Sequence, residues 1–112
     1  MIAQVRPAEF NAWLQQQPER PLVLDVREPW EVQAASVPPA DTFELVAIPM
    51  NQLPARFSEL PQDRPIACLC HHGARSQRVA LFLAHQGYTD VANIAGGIDA
   101  WSGELDPSVP LY

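Results

Sequence analysis

The chain has 112 residues and a formal net charge of -6, and this length suits one domain with its own apolar core. Hydrophobic residues make up 47% and charged residues 18%, which excludes a disordered chain. The negative charge argues against nucleic acid or an anionic membrane as a partner, and no apolar run reaches the ~18 residues of a membrane span. We therefore expect a single domain over residues 1–112.

Helix-like segments and short apolar runs alternate along the chain. Residues 8–17 carry apolar side chains at helical spacing, and Pro7 suits a first helical position. Apolar runs typical of strands buried on both faces of a parallel sheet occupy 21–26, 45–48, 65–69 and 91–94. Helices are predicted over 28–34, 50–57, 76–86 and 98–102. This alternation favours an α/β fold with a mainly parallel sheet.

The stretch 70–76, which reads Cys-His-His-Gly-Ala-Arg-Ser, is the strongest candidate site. It places Cys70 at the carboxyl end of a predicted strand, where sheets of this class bind ligands. Successive backbone N–H groups of a short glycine-containing loop can form an anion-binding nest. The following helix adds its positive N-terminal dipole. Both effects favour the thiolate, the reactive form of cysteine, so we interpret Cys70 as a nucleophile.

The second cysteine, Cys68, lies inside the apolar run and is interpreted as a core residue. A disulfide between Cys68 and Cys70 would demand strained geometry. A redox or resolving role for Cys68, in which its thiol attacks an oxidised form of Cys70, stays open as the alternative. Two cysteines and an N-terminus without the features of a signal peptide lead us to expect a cytoplasmic protein.

Three further stretches carry motifs, and they read Leu24-Asp25-Val26-Arg27-Glu28, Ala95-Gly96-Gly97-Ile98-Asp99-Ala100-Trp101 and Leu105-Asp106-Pro107-Ser108-Val109-Pro110-Leu111-Tyr112. Together with 70–76, they resemble the rhodanese family of sulfurtransferases. The last stretch is similar to the tails of rhodanese domains fused to ubiquitin-like-protein-activating enzymes. The ordered set spans nearly the whole chain and is more specific than any single motif.

The resemblance implies a fold and a chemistry. The fold is a central, mostly parallel five-stranded sheet with helices on both faces. In the chemistry, the Cys70 thiolate takes sulfur from thiosulfate or a protein persulfide and passes it to cyanide, a thiol or another thiophilic acceptor. Backbone N–H groups of the loop would hold the terminal sulfur, and the loop consists of His71, His72, Gly73, Ala74, Arg75 and Ser76. No metal or organic cofactor is implied.

The histidines and the arginine of the loop allow more than one interpretation. His71 and His72 do not have the ligand spacing of a tetrahedral zinc site. We expect them to line the mouth and add weak positive character near pH 7, with a substrate-orienting role left open. Arg75 either faces the pocket and attracts an anionic donor or pairs with a carboxylate such as Glu28 or Asp25, and we favour the pocket.

Two other regions bear on how the loop is supported. An ion pair between Asp25 and Arg27 is expected to fix neighbouring loops, and the resemblance implies that Arg27 helps to hold the active-site loop. Gly96 and Gly97 suit a tight turn that needs positive φ. The region 34–41 departs from the family pattern, because it lacks the usual Gly-His-Ile-Pro-Gly-Ala sequence and its histidine.

Two other functions remain on the same fold. In dual-specificity phosphatases and arsenate reductases, which share the fold that the resemblance implies, the corresponding loop has the pattern Cys-x5-Arg. This chain has Cys-x4-Arg from Cys70 to Arg75, and the smaller loop suits a single sulfur atom better than a tetrahedral oxyanion. The chain could also be a non-turnover sulfur relay or binding module, with a ubiquitin-like sulfur carrier as its acceptor. A catalytically inactive regulatory domain is disfavoured because the cysteine is present.

Overall fold

The structure is a computed structural model that describes residues 2–112. Its sheet contains five strands, which are β1 (Ala3–Val5), β2 (Leu22–Asp25), β3 (Glu44–Ala47), β4 (Ile66–Leu69) and β5 (Val91–Ile94). The α-helices are α1 (Phe10–Gln15), α2 (Pro29–Ala34), α3 (Leu53–Arg56), α4 (Ala74–His85) and α5 (Gly97–Glu104), with 3-10 turns at Pro7–Glu9, Met50–Gln52 and Phe57–Glu59.

The strands lie in the order β1-β5-β4-β2-β3, and every neighbouring pair is parallel. The predicted α/β fold with a five-stranded sheet is thus confirmed, and four of the strands match predicted apolar runs. The fifth, β1, had no such signal because it is three residues long and reads Ala-Gln-Val. Its pairing with β5 places it at one edge of the sheet.

Apolar clusters cover both faces of the sheet, as expected for strands whose side chains alternate between two buried sides. On β4, Cys68 belongs to one cluster together with Leu83 of α4. Leu69 belongs to the other cluster together with Trp101 of α5. Helices therefore pack on both sides, which confirms the predicted layer arrangement.

Three predicted helices differ from the observed ones. The helix expected over 8–17 is divided into a 3-10 turn and α1, which ends at Gln15. The helix expected from residue 76 begins at Ala74, because Gly73 adopts the left-handed conformation (φ 105°) at its N-cap. This places Arg75 and Ser76 in the first turn. The helix expected over 50–57 is divided into two 3-10 turns around the short α3, whose first turn contains Pro54.

The carboxyl ends of β2 and β4 lie side by side, because Asp25 pairs with Leu69 in the parallel register. Cys70 follows Leu69 directly, so the thiol and the Asp25 region meet at one edge of the sheet. Within residues 2–112, no helix combines the length and the apolar character that crossing a membrane would require.

Candidate functional site

The sulfur of Cys70 lies at the bottom of the loop and is almost fully buried, with the residue 1% exposed. The backbone N–H of Gly73 donates to Sγ at 3.1 Å, and Ser76 Oγ lies 3.2 Å from Sγ. The positive φ of Gly73 permits this tight turn, and a Cβ there would lie 3.0 Å from the Gly96 nitrogen. The loop thus surrounds the thiol with one backbone donor and one hydroxyl.

A buried polar side chain that the sequence analysis did not select lies behind Ser76. The Ser76 hydroxyl donates to Asn93 Oδ1 at 2.5 Å. The Asn93 amide nitrogen donates to the Gly73 carbonyl at 3.2 Å and to Gln4 Oε1 at 2.9 Å. Its sequence signal is a single polar residue within the strand Val91–Ile94, whose other residues are apolar.

The first turn of α5 holds the loop from the other side. The N–H of Ile98 donates to the Cys70 carbonyl at 2.9 Å, and that of Asp99 donates to the His71 carbonyl at 3.1 Å. Gly97 has φ 62°, and a Cβ there would lie 2.5 Å from the Cys70 carbonyl oxygen. The predicted positive φ at Gly96 and Gly97 is confirmed, and at Gly97 it accompanies a close backbone approach.

Arg75 pairs with Glu31 of α2, through two nearly parallel hydrogen bonds of 2.7 and 2.8 Å. The carboxylates suggested as partners of Arg75, those of Glu28 and Asp25, were wrong. Asp25 is bound by Arg27, and Glu28 is exposed at the N-cap of α2. The Arg75 guanidinium lowers the pKa of Glu31 to about 2. Both terminal nitrogens of the arginine are therefore directed to α2, contrary to the favoured pocket-facing arrangement.

The predicted ion pair between Asp25 and Arg27 is confirmed, with hydrogen bonds of 2.9 and 2.7 Å to the two carboxylate oxygens. Arg27 is 1% exposed. Its guanidinium also donates to the carbonyls of Glu31 and Ala35 and to the Tyr112 hydroxyl. Arg27 thus fixes α2 and the C-terminal segment, and it reaches the Cys70 loop indirectly, through Glu31, which binds Arg75, and through Tyr112, which stacks on His71.

Three aromatic rings are stacked at the mouth of the loop. The His71 ring lies between Tyr112, at a centroid distance of 4.0 Å, and His72, at 3.9 Å. Loss of hydration, followed by repulsion from His72, lowers the pKa of His71 below its ordinary value. Both causes favour the neutral form of the His71 imidazole.

The ligand atoms of His71, His72 and Asp99 lie within 4.8 Å of one another, close enough to raise the question of a metal site. Tetrahedral zinc would need its ligand atoms about 3.3 Å apart. Two of the three side chains are exposed. Because proximity of exposed groups does not identify a metal site, we assign no metal here, and the absence of one stays a prediction.

Cys68 is fully buried, and burial together with the nearby Cys70 raises its pKa. Both cysteines are free thiols. The environment of Cys68 is that of a core side chain, as the sequence analysis expected, and its thiol stays protonated at neutral pH.

Comparisons with known proteins identify the family of this chain. The model of the rhodanese-like domain family matches residues 7–104. A sulfurtransferase of Allochromatium vinosum is 40% identical over 81 residues, which cover 72% of this chain and 71% of that protein. The adenylyltransferase and sulfurtransferase MOCS3-1 of Zea mays is 33% identical over 93 residues, 81% of this chain but only 20% of that protein.

Solved structures show the same architecture. A rhodanese-related protein from Thermoplasma volcanium superposes with a TM-score of 0.76 at 29% identity, covering 98% of this chain and 99% of that one. The residues that the family model matches include the Cys70 loop and the strands β2 to β5. This chain therefore belongs to the rhodanese-like domain family.

Proposed function

We propose that the protein is a sulfurtransferase that carries sulfane sulfur as a persulfide on Cys70. The donor is thiosulfate or a protein persulfide, and the acceptor is cyanide, a thiol or another thiophilic group. The observation that carries this proposal is the position of the thiol. Cys70 directly follows β4 in a loop that the family model covers, with the Gly73 N–H directed at its sulfur.

The reaction divides into two displacements at sulfur. The Cys70 thiolate attacks the outer sulfur of thiosulfate, the S–S bond breaks, and sulfite leaves with its electron pair. The acceptor then attacks the terminal sulfur of the persulfide, and the Cys70 thiolate leaves. With cyanide the product is thiocyanate, and the enzyme returns to its starting state. No metal or cofactor takes part in this scheme, which predicts ping-pong kinetics.

The backbone of the loop supports the persulfide in this proposal. N–H groups along residues 71–76 would stabilise negative charge on the terminal sulfur, as an oxyanion hole does for oxygen. The contributing residues are His71, His72, Gly73, Ala74, Arg75 and Ser76. Asp25 and Arg27 act at a distance, by fixing α2 and hence the Glu31 carboxylate that Arg75 binds.

The phosphatase and arsenate reductase alternative is the weaker one. Those chemistries use an arginine that binds a tetrahedral oxyanion with two parallel hydrogen bonds. Here the terminal nitrogens of Arg75 are both bound to Glu31, and the loop has four residues between Cys70 and Arg75. Turnover of an aryl phosphate without sulfur loading would favour this alternative.

A sulfur relay is the second candidate function. Its support is the similarity to a protein named adenylyltransferase and sulfurtransferase, together with the similar C-terminal tail. In this version a ubiquitin-like sulfur carrier receives the sulfur, and small-molecule turnover is slow although the persulfide forms readily. A cytoplasmic location is proposed with it, because two free thiols suit a reducing compartment.

The test is the mass of the intact protein after incubation with thiosulfate and, separately, with a protein persulfide. We expect wild type to gain one sulfur atom and to lose it to cyanide as thiocyanate. Cys70→Ser should gain none, and the matched control Cys68→Ala should load like wild type. Loading of Cys70→Ser, or no loading of wild type by either donor, would refute the mechanism.

A further inference from the structure

Asn93 is a polar residue that the fold buries beside the reacting thiol. It is 3% exposed. Its amide group contacts Ser76, Gly73 and Gln4, and Ser76 in turn contacts the Cys70 sulfur. The chain of contacts from Asn93 to the sulfur is short and closed to solvent, because Ser76 is also fully buried.

The Gly73 carbonyl fixes which way the amide of Asn93 faces. A carbonyl oxygen can only accept a hydrogen bond, so the Asn93 atom 3.2 Å from it must be the amide nitrogen. The amide oxygen of Asn93 consequently faces Ser76 Oγ at 2.5 Å. Since this oxygen cannot donate, the proton in that hydrogen bond comes from the Ser76 hydroxyl.

This arrangement decides what Ser76 offers to Cys70. A hydroxyl has one proton, and here the proton is directed to Asn93. The Ser76 oxygen therefore turns a lone pair towards Sγ, 3.2 Å away. A lone pair accepts a hydrogen bond from a thiol, but it cannot stabilise a thiolate. The remaining donor at the sulfur, among the described contacts, is the N–H of Gly73.

We propose that Asn93 is a positioning residue that holds the Ser76 hydroxyl away from the sulfur and thereby favours the thiol form of unloaded Cys70. When Cys70 loses its proton to solvent, the Ser76 hydrogen turns from Asn93 to the sulfur without movement of heavier atoms. Asn93 Oδ1 then loses its donor. A buried acceptor without a donor shifts such an equilibrium roughly fivefold to a hundredfold.

This inference rests on the proposed function only in taking Cys70 as the reacting thiol. Its consequence is regulatory: the unloaded sulfur is protected from chance alkylation or oxidation, and the anionic form must displace the Ser76–Asn93 hydrogen bond. Removing the amide oxygen of Asn93 should therefore make Cys70 more reactive. If Asn93 were merely structural, the effect of its removal would not depend on the Ser76 hydroxyl.

The experiment measures the alkylation rate of Cys70 by iodoacetamide, resolved by site with mass spectrometry, from about pH 5 to about pH 10, since the thiolate is the reacting form. Asn93→Ala should react about tenfold faster than wild type at neutral pH. Its half-maximal rate should lie about one pH unit lower. In a Ser76→Ala background, Asn93→Ala should change nothing.

Two further variants keep the test decisive. Gln4→Ala removes the partner on the other side of the amide and should leave the rate unchanged, because the bond from Ser76 to Asn93 stays. Asn93→Leu, which keeps the size of the side chain and lacks the amide oxygen, gives the same test if circular dichroism shows that Asn93→Ala does not fold. The proposal is overturned if Asn93→Ala is no faster, if the gain persists without Ser76, or if Gln4→Ala is equally fast.

The ionisable groups around the loop are the same in every variant, so their effect on the alkylation rate cancels when variants are compared. These groups are Cys68 on β4, His71 and His72 in the loop, Arg75 on α4, Asp99 on α5 and Glu31 on α2. Alkylation needs no sulfur donor. A failure of thiosulfate loading would therefore leave this test intact, and an unchanged alkylation rate would leave the sulfur-transfer proposal intact.

Discussion

Glu31 is the residue at which α2, the Cys70 loop and the C-terminal segment meet. Its carboxylate accepts two hydrogen bonds from Arg75 and one from the Tyr112 hydroxyl. It also accepts the N–H of Glu28 and so closes the N-terminus of α2. The side chain is only 5% exposed, so solvent screens these interactions weakly and the carboxylate is held in its charged form.

Replacement of this carboxylate should destabilise the protein in a pH-dependent way. The pKa of Glu31 is about 2 in the folded state against an ordinary 4.5, so its contribution is present above about pH 5 and is lost as the pH falls to about 2. We expect Glu31→Gln to lower the free energy of unfolding by about 2–3 kcal/mol at pH 7.

Urea titrations of wild type and Glu31→Gln at several pH values measure this difference. The gap between the two proteins should close as the pH approaches about 2. Glu59→Gln is the matched control, because Glu59 pairs with Arg56 in solvent and its loss should leave the stability almost unchanged. A gap of constant size at every pH would contradict the role given to the Glu31 charge.

At the scale of elements, backbone N–H groups of α5 hold the Cys70 loop in place, an arrangement that we call the backbone clamp. Its first turn donates to two successive loop carbonyls, those of Cys70 and His71. The approach is close enough that a Cβ on Gly97 would lie 2.4 Å from the His71 carbonyl oxygen. The position of the loop is thus fixed by the start of a helix that comes more than twenty residues later, rather than by the loop residues alone.

Gly97→Ala should therefore separate α5 from the loop. Steric overlap and the positive φ at this position should lower the free energy of unfolding by roughly 2 kcal/mol or more, and sulfur loading should fall. Gly103→Ala is the control on the same helix, where a Cβ meets nothing within 4 Å. It should raise stability by about 0.5–1 kcal/mol. Equal effects of the two substitutions, measured by thermal unfolding, would contradict the clamp.

At the scale of the whole molecule, the C-terminal segment brings residues that are far apart in the sequence together at one site. Val109 is buried in the same apolar cluster as Trp101. Tyr112 stacks on His71 and exchanges hydrogen bonds with Arg27 and Glu31, 85 and 81 residues earlier. The last residues therefore cover the mouth of the loop and join it to α2.

We expect Tyr112→Phe to lower the free energy of unfolding by about 1 kcal/mol, because it removes the hydroxyl and keeps the stacking. Tyr112→Ala should cost about 1 kcal/mol more, since it also removes the contact with the His71 ring. Leu111→Ala is the control, with a side chain that is 68% exposed. Thermal melts in which Leu111→Ala cost as much as Tyr112→Ala would argue against this anchoring role.

Much of the fold followed from local patterns in the sequence. Apolar runs located β2 to β5, and the residues after the third of them located the Cys70 loop at a strand end. The Asp25–Arg27 pair was also predicted, because an aspartate at the end of a strand beside an arginine commonly forms an ion pair. Each of these inferences depends on burial or turn formation within a few residues, which composition and spacing encode directly.

Other features were decided only by packing in three dimensions. β1 forms because its three residues complete the sheet beside β5. Arg75 binds Glu31, 44 residues away, instead of Glu28 or Asp25, the partners that the sequence suggested. Asn93 reaches Ser76 because β5 lies next to β4. The sequence determined that a thiol would stand at a strand end before a helix; the tertiary structure decided which charges, hydroxyl and rings surround it, because contacts between distant residues depend on how the elements pack.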